Sequence, residues 1–366
     1  MTDLSAAPDL DEQLPPLRRA GGAFLRGLHV GLGLGGVVLV VATFLPLLHP
    51  FWPLAAVAEH FALQVLMGAA ALGLLALLLR RWRWLGLVAG VAFIQIWTIH
   101  PYWPSFVPGT HGGTHAAQAE VLNPNEMKVV SLNVHHSGRS FEQVRKYLHD
   151  SGADVIGLVE MSRRWKMELA PLTAIYPFRI DCIDSDELCE EMLLSKHPFQ
   201  RQGAGLTDRN LPMLVWGEIA PPDGSKPVTF AVTHLAWPLL IAEAPGASVT
   251  NPYLRSLPNG LPRLVQAEQM VTLADTLNGL GRDLVLMGDF NAAPWSRVQD
   301  YLHQQSGVDD PGHLAPTWPA WGPAFIRLPI DHIMTRGNLR LVSFEPGPDV
   351  GSDHLPVEAI LALSAP

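Results

Sequence analysis

An α/β domain behind three transmembrane helices is the fold class this sequence predicts, on three observations. Two early stretches, 28–48 and 61–79, contain no Asp, Glu, Lys or Arg. Each is long enough to cross about 30 Å of hydrocarbon at roughly 1.5 Å per residue. From Met127 onward, short apolar runs of strand character alternate with helical patterns. Carboxylate, amide and imidazole residues recur where those runs end, and strand ends are where α/β sites assemble.

A third apolar stretch, Leu85 to Ile99, is shorter and contains Gln95. It reaches spanning length over 83–103 if Trp82, Trp84, Tyr102 and Trp103 form its interfacial belts. The leader carries Asp3, Asp9, Asp11 and Glu12, which argues against a cleaved signal peptide. The expected layout is a cytoplasmic tail (1–27), a membrane anchor (28–103), a linker (104–126) rich in Gly, Pro, His and Ala, and an α/β domain (127–366).

Positive charge orients the anchor. Arg18, Arg19 and Arg26 precede the first span, Arg80, Arg81 and Arg83 follow the second, and the loop from His49 to His60 has no Lys or Arg. The Arg clusters therefore belong in the cytoplasm, and three spans place the α/β domain on the periplasmic or extracytoplasmic side of an inner membrane. Cys182 and Cys189, the two cysteines of the chain, both fall in that exported part. They either pair in an oxidising compartment or stand as free thiols, and two thiols alone make a poor metal site. The part after residue 104 holds 19 basic and 29 acidic residues, which lacks the basic footprint of a broad nucleic-acid binder.

Within the domain, Lys128 to Val134 reads as a strand ending in Asn133-Val-His-His136. Ser140 is placed to cap a helix bearing Phe141, Val144 and Leu148 and stopping at Ser151-Gly152. Asp154 to Val159 is a strand delivering Glu160, and Glu191 to Ser195 is the next. Leu214 to Ala220 and Val228 to His234 form a pair joined by the turn Pro221-Pro-Asp-Gly224. Trp237 to Pro262 reads as an irregular rim loop, followed by a helix from Arg263 to Leu277. The apolar run Leu284–Met287 is a buried strand. Gly288 turns the chain and presents Asp289 and Asn291, two residues apart, to one spot. A short helix spans 296–304, and strands cover Ile330 to Met334, Leu339 to Phe344 and Val357 to Leu363. Asp331 lies on the first of these, and Asp353-His354 precedes the last.

Hard oxygen donors with imidazoles beside them suit Mg²⁺, Mn²⁺ or Ca²⁺ and a charged phosphate. Six segments in order, SLNV, DVIGLVE, THL, GDFN, PIDHI and SDHLPV, resemble the endonuclease/exonuclease/phosphatase superfamily over about residues 127–364. The resemblance implies a four-layer α/β/β/α sandwich of the pancreatic deoxyribonuclease (DNase I-like) kind and a metal-dependent phosphoesterase. It implies Glu160 as main metal ligand with Asn133 and Asp353 in support. Asp289 would activate the attacking water or assist the leaving group, and Asn291 would orient phosphate or water. His354, paired with Asp331, would contact the scissile phosphate, and His234 would be a candidate general acid.

This sequence departs from the family in two places. His135 stands where relatives carry Asn or Asp, and there it would bind phosphate or shift metal preference toward Mn²⁺. Glu190 and Glu191 precede the third strand, and one of them is expected to orient His234. Other residues have plainer readings. His332 alternates to the opposite face from Asp331 and is expected to pack structurally. Arg263 and Gln266 are expected on a solvated helix face, and Trp295 and Trp318 either rim the cleft or fill the core. His111 and His115 belong to a solvated linker.

The expected substrate is a phosphodiester: nucleic acid, phospholipid or small molecule. The lipid bilayer is the one partner implied. The alternative class is a catalytically inactive scaffold of the same fold. A small transporter is disfavoured because the first two spans hold no charge.

Overall fold

The computed structural model describes residues 16–106, 126–184, 189–205, 213–220, 226–241, 257–258, 260–309 and 312–363. The linker histidines His111 and His115, the turn at 221–224 and most of the rim loop, 242–256, lie outside them. The chain forms two compact units, one of Met1–Phe44 with Ala62–Trp97, the other of Leu45–Phe61 with Thr98–Pro366.

The first unit is helical. Its helices are α1 (Pro16–Phe44), α2 (Ala62–Leu78) and α3 (Trp82–Ile99). Among the described residues, three segments, Ala23–Leu48, Pro53–Leu78 and Trp82–Trp103, are long and apolar enough to cross a membrane. Large apolar side chains such as Phe24, Leu34, Val38, Leu74 and Phe93 face outward, an outer surface suited to lipid. Inside, Leu39, Val65, Ala69, Val88 and Val91 pack together. Gln95 is buried and donates to Thr43 Oγ1 at 3.1 Å, which satisfies the amide on an apolar helix.

The second unit is two packed sheets flanked by helices. The six-stranded sheet runs β10-β11-β1-β2-β4-β3 and the five-stranded sheet β5-β6-β7-β8-β9. The strands are β1 (Glu126–Asn133), β2 (Val155–Val159), β3 (Phe178–Asp181), β4 (Met192–Ser195), β5 (Phe199–Gly205), β6 (Met213–Ile219), β7 (Val228–His234), β8 (Leu284–Asp289), β9 (Asp331–Arg336), β10 (Leu339–Pro346) and β11 (Val357–Leu363). The helices are α4 (Phe141–Asp150), α5 (Arg163–Glu168), α6 (Val265–Asn278) and α7 (Arg297–Ser306).

Strand alternation builds the layers. Val129, Val155 and Val159 face the other sheet and meet Phe230, Val232, Val285 and Met287. Val130, Leu132, Ile156 and Leu158 point the opposite way, onto Val144, Leu148 and Trp165 of α4 and α5. Ala231, Leu284 and Leu286 cover the outer face of the second sheet against Met270, Leu273 and Leu302 of α6 and α7. Both faces of each central strand are apolar, so these strands read as continuous apolar runs. Each fully buried Leu, Val or Phe stabilises the fold by about 1.5–3 kcal/mol. The sheets close tightly at Gly157, where a Cβ would lie 2.6 Å from Met287 Sδ.

Local readings needed correction at four points. The sequence reading omitted α5, β3 and β5, which are short or carry polar and glycine-rich runs without a clear period. Ser140 makes no side-chain cap on α4, because its hydroxyl donates instead to the Gly351 carbonyl at 2.8 Å.

Candidate active site

Strand register gathers the site. His234, the last residue of β7, lies opposite Asp289, the last of β8, and Asp289 lies opposite Asp331, the first of β9. In the other sheet Asn133 ends β1 beside Val159 of β2, and Glu160 follows at once. Two strand edges, one from each sheet, thus deliver acidic, amide and imidazole groups to one place. Gly288 is required there. Its φ is +142°, and a Cβ would stand 1.9 Å from the Thr233 carbonyl oxygen.

The backbone is strained where it presents these groups. His135, Glu160 and Asn291 have φ of 61°, 56° and 48°, left-handed values that cost a non-glycine residue on the order of 1 kcal/mol or more each. Polar contacts hold the turns. Asn291 N donates to Asp289 Oδ1 at 2.8 Å, and Asn291 Nδ2 donates to the Leu235 carbonyl at 2.9 Å. Gln266 Nε2 donates to the carbonyls of Phe290 and Asn291 at 3.0 and 2.8 Å. Gln266 is therefore buried beneath the site rather than on the solvated face expected from the sequence, whereas Arg263 is exposed.

Asn133 sits at the centre, fully buried. Its Nδ2 donates to Glu160 Oε1 at 2.8 Å and to Asp289 Oδ2 at 3.0 Å, while its Oδ1 accepts from His135 N at 2.9 Å. Glu160 Oε2 accepts from His136 N at 2.9 Å. Burial pushes the Glu160 carboxyl up, but His234, the Asn133 amide, the His136 N–H and His354 outweigh it and hold it below its ordinary value. The group stays anionic and available to a cation.

His354 lies in the buried half. Its Nδ1 is 2.8 Å from Asp331 Oδ2 and its Nε2 is 3.6 Å from Asp289 Oδ2. Thr317 Oγ1 donates to the same Asp331 oxygen. Burial alone would lower the imidazole, but Asp331, Asp289 and Asp353 raise it to about 10. His354 is an imidazolium held between two carboxylates. Asp289 is pushed up by burial and by Asp331, against the pull of His354, His234 and the Asn291 N–H.

The open half carries the remaining predicted residues. His234 Nε2 is 3.9 Å from Glu160 Oε1 and 3.8 Å from Asp289 Oδ2, and its Nδ1 is 4.0 Å from Glu190 Oε2. Glu190 also stands 3.4 Å from His136 Nδ1, an imidazole the sequence reading gave no role. Glu191 is buried, and its carboxylate accepts from the Glu190 N–H at 3.1 Å. Asp353 faces His135, 3.6 Å from its Nδ1. His332 is buried with Nε2 2.8 Å from the Ala292 carbonyl oxygen. Cys182 and Cys189 are joined as a disulfide.

Among the described residues, two donor groups could take a cation. Glu160, His234 and Asp289 offer atoms within 4.8 Å of one another, as do Asp289, Asp331 and His354. Asp289 belongs to both. The first group suits a divalent ion better, since an imidazolium in the second has no lone pair to offer a metal.

Residues before α2 also reach this region. His60 Nδ1 accepts from Ala293 N at 3.0 Å, the Glu59 carbonyl accepts from Trp295 Nε1 at 2.8 Å, and the Glu59 carboxylate accepts from Arg297 N at 3.0 Å. Tyr102 Oη donates to the Pro294 carbonyl at 3.0 Å. Trp295 is accordingly buried. Sequence alone gave no signal for these contacts, which join residues about 190 to 240 positions apart.

Comparison with known proteins agrees with this fold. A sequence profile described as Endonuclease/Exonuclease/phosphatase family matches residues 130–354. No curated protein sequence matches the chain. An endonuclease/exonuclease/phosphatase family protein from Bacteroides thetaiotaomicron is similar with a TM-score of 0.52 at 14% identity, covering 67% of this chain and 100% of that one. An endonuclease/exonuclease/phosphatase from Bacteroides vulgatus is similar with a TM-score of 0.51 at 15% identity, covering 65% and 99%.

Proposed function

Because the chain belongs to the Endonuclease/Exonuclease/phosphatase family, a family of phosphoester hydrolases, we propose that it is a membrane-anchored, divalent-metal-dependent phosphodiesterase using in-line attack by water. One observation carries the reading: two donor groups share Asp289 at the joined edges of both sheets. The donors are carboxylates with a flanking imidazole, and the set fits a hard cation. Glu160 would hold Mg²⁺, with Mn²⁺ or Ca²⁺ as substitutes and with Asn133 and Asp353 in support. The ion would supply charge neutralisation at the bound phosphate and a more acidic water.

The chain's own residues do the rest. Asp289, with its carboxyl raised toward the neutral range, accepts a proton from the attacking water. Asn291, pinned beside it by two hydrogen bonds, orients that water or a phosphate oxygen. The His354 imidazolium faces charge developing on phosphorus oxygens, and Asp331 keeps it protonated and aimed. His135, half exposed beside Asp353, meets a non-bridging oxygen. His234, oriented by Glu190, delivers a proton to the leaving oxygen. Preorganised groups of this kind are worth about 10²–10³ in rate each. Hydrolysis in ¹⁸O-labelled water tests the attack. One ¹⁸O is expected in the phosphomonoester product, and label in the alcohol instead would rule out attack at phosphorus.

We place the domain outside the inner membrane, after a cytoplasmic tail (1–27) and a three-span anchor (28–103). The loop between the first two spans packs in the same compact unit as the domain, which supports both lying on one side, opposite the Arg clusters. The Cys182–Cys189 disulfide fits an oxidising compartment. Alkaline-phosphatase fusions after residue 105 are expected to be active, and inactive fusions would put the domain in the cytoplasm.

A further inference from the structure

The mouth of the site is edged with exposed apolar side chains. Directly after His234, Trp237, Leu239, Leu240 and Ile241 are 46%, 53%, 54% and 53% exposed. Their backbone is fixed. Leu235 N donates to the Asp289 carbonyl, Ala236 N to Gln269 Oε1, and Val265 N to the Leu240 carbonyl, while Ile241 bridges Leu264. The side chains are therefore held outward on an anchored segment. A second turn, between Trp318 and Leu328, presents Trp321, Phe325 and Ile326 at 78%, 56% and 37% exposure. The two segments meet at Trp318, whose ring lies 5.6 Å from Trp237 and 6.5 Å from His354. Apolar surface thus runs from the catalytic imidazole to the outside.

Resting on the phosphodiesterase reading, we propose that the substrate is a phospholipid of the bilayer the chain is anchored in, with Trp237–Ile241 seated at its interface. Three observations select that occupant. Pro238 lines one cavity together with Ala56, Glu59 and His60, residues of the Pro53–Leu78 segment that is long and apolar enough to cross a membrane. The exposed segment is thereby tied to the membrane boundary by chain connectivity. Its sequence, Trp-Pro-Leu-Leu-Ile, holds no charge, and an aromatic followed by aliphatics suits the interfacial layer. A nucleic acid needs a basic rim, whereas the part after residue 104 has ten more acidic than basic residues. Arg327 of the second turn already donates to the Gly322 and Ala320 carbonyls.

The reaction is hydrolysis of a lipid phosphodiester. The oxygen of water bonds to phosphorus, one ester P–O bond breaks, and the leaving oxygen takes a proton to give an alcohol and a phosphomonoester.

Full-length protein in phospholipid vesicles tests this against bis-p-nitrophenyl phosphate as a soluble probe. The triple variant Leu239→Ser, Leu240→Ser, Ile241→Ser is expected to lose at least tenfold more turnover on vesicle phospholipid than on the soluble ester. Equal losses on both, or wild-type cleavage of plasmid DNA and the soluble ester without phospholipid turnover, would overturn the lipid assignment and leave the phosphodiesterase standing. No metal-dependent turnover of any probe would overturn both. An activity-independent measurement separates the two claims further. A fluorophore on Leu240→Cys is expected to be quenched by spin-labelled lipid in the reconstituted protein, and absence of quenching would refute the seating.

Discussion

The candidate site has a buried half and an open half, and they are built differently. On the buried side, His354 and Asp331 are 3% and 2% exposed and meet at 2.8 Å. On the open side, His234, His136 and Glu190 stand 3.4 to 4.0 Å apart with partly exposed side chains. The buried half has its charges paired and its protonation fixed by neighbours, an arrangement suited to preorganised electrostatics. The open half faces solvent, and its contacts are loose enough to be remade on binding. Asp289 joins the two, belonging to both donor groups.

Substitution sharpens that contrast, with the largest effects at the junction. Glu160→Gln and Asp289→Asn are each expected to lower kcat by about 10³ or more, as loss of a main electrostatic group does. Tm should stay within about 3 °C, the shift that roughly 1 kcal/mol produces in a domain of this size. Steady-state kinetics with thermal melts checks both.

In the buried half, Asp331→Asn should cost about 10–100-fold in kcat/KM, in the range of lost orienting partners. It should also change pH dependence. His354 is raised from 6.5 to about 10, with Asp331 the largest raising partner against burial. Because the folded value is raised, protonation stabilises the fold fully below pH 6.5. That stabilisation disappears as pH rises toward 10. Removing Asp331 should move the alkaline limb of kcat/KM down by at least one pH unit. An unmoved limb would mean His354 is not the titrating group.

The open half predicts less. Half-exposed pairs such as Glu190 with His234 are worth at most about 1 kcal/mol, so Glu190→Gln should reduce kcat by no more than roughly fivefold. Glu191→Gln should act on stability alone. If neither changed activity, the orienting role would be lost.

The smallest effect on chemistry is expected beneath the site. Glu59→Gln breaks a mostly buried carboxylate's contacts with Arg297. It should destabilise the second unit by about 1–3 kcal/mol and leave KM for a soluble ester little changed. A domain cut after residue 104 loses the same contacts and should melt lower than the full chain.

Much of the strand framework was legible because its physics is local. β7 and β11 match the expected bounds residue for residue. Gly288, Asp289 and Asn291 could be placed because a strand must turn sharply there. The polar shell was not legible. Gln266, Thr317 and His60 act through contacts with residues distant in sequence, and a glutamine near a helix start looks the same whether solvated or buried. Asn133 was expected as a metal ligand, but whether its amide presents oxygen or nitrogen depends on the His135 N–H that claims the oxygen. β3 and β5 escaped because short, polar or glycine-rich strands carry no period.

The central claim is that Glu160 and Asp289 run a divalent-ion-dependent phosphodiester hydrolysis. Its most direct test is turnover of bis-p-nitrophenyl phosphate by full-length protein stripped with EDTA, then titrated with Mg²⁺, Mn²⁺ or Ca²⁺, beside Glu160→Gln. The account predicts no turnover after stripping, saturable recovery on adding metal, and loss of at least 10³ in the variant, the scale of a main electrostatic group. Turnover unaffected by EDTA, or a folded protein inert with all three ions, would contradict it and leave a ligand-binding scaffold of the same fold.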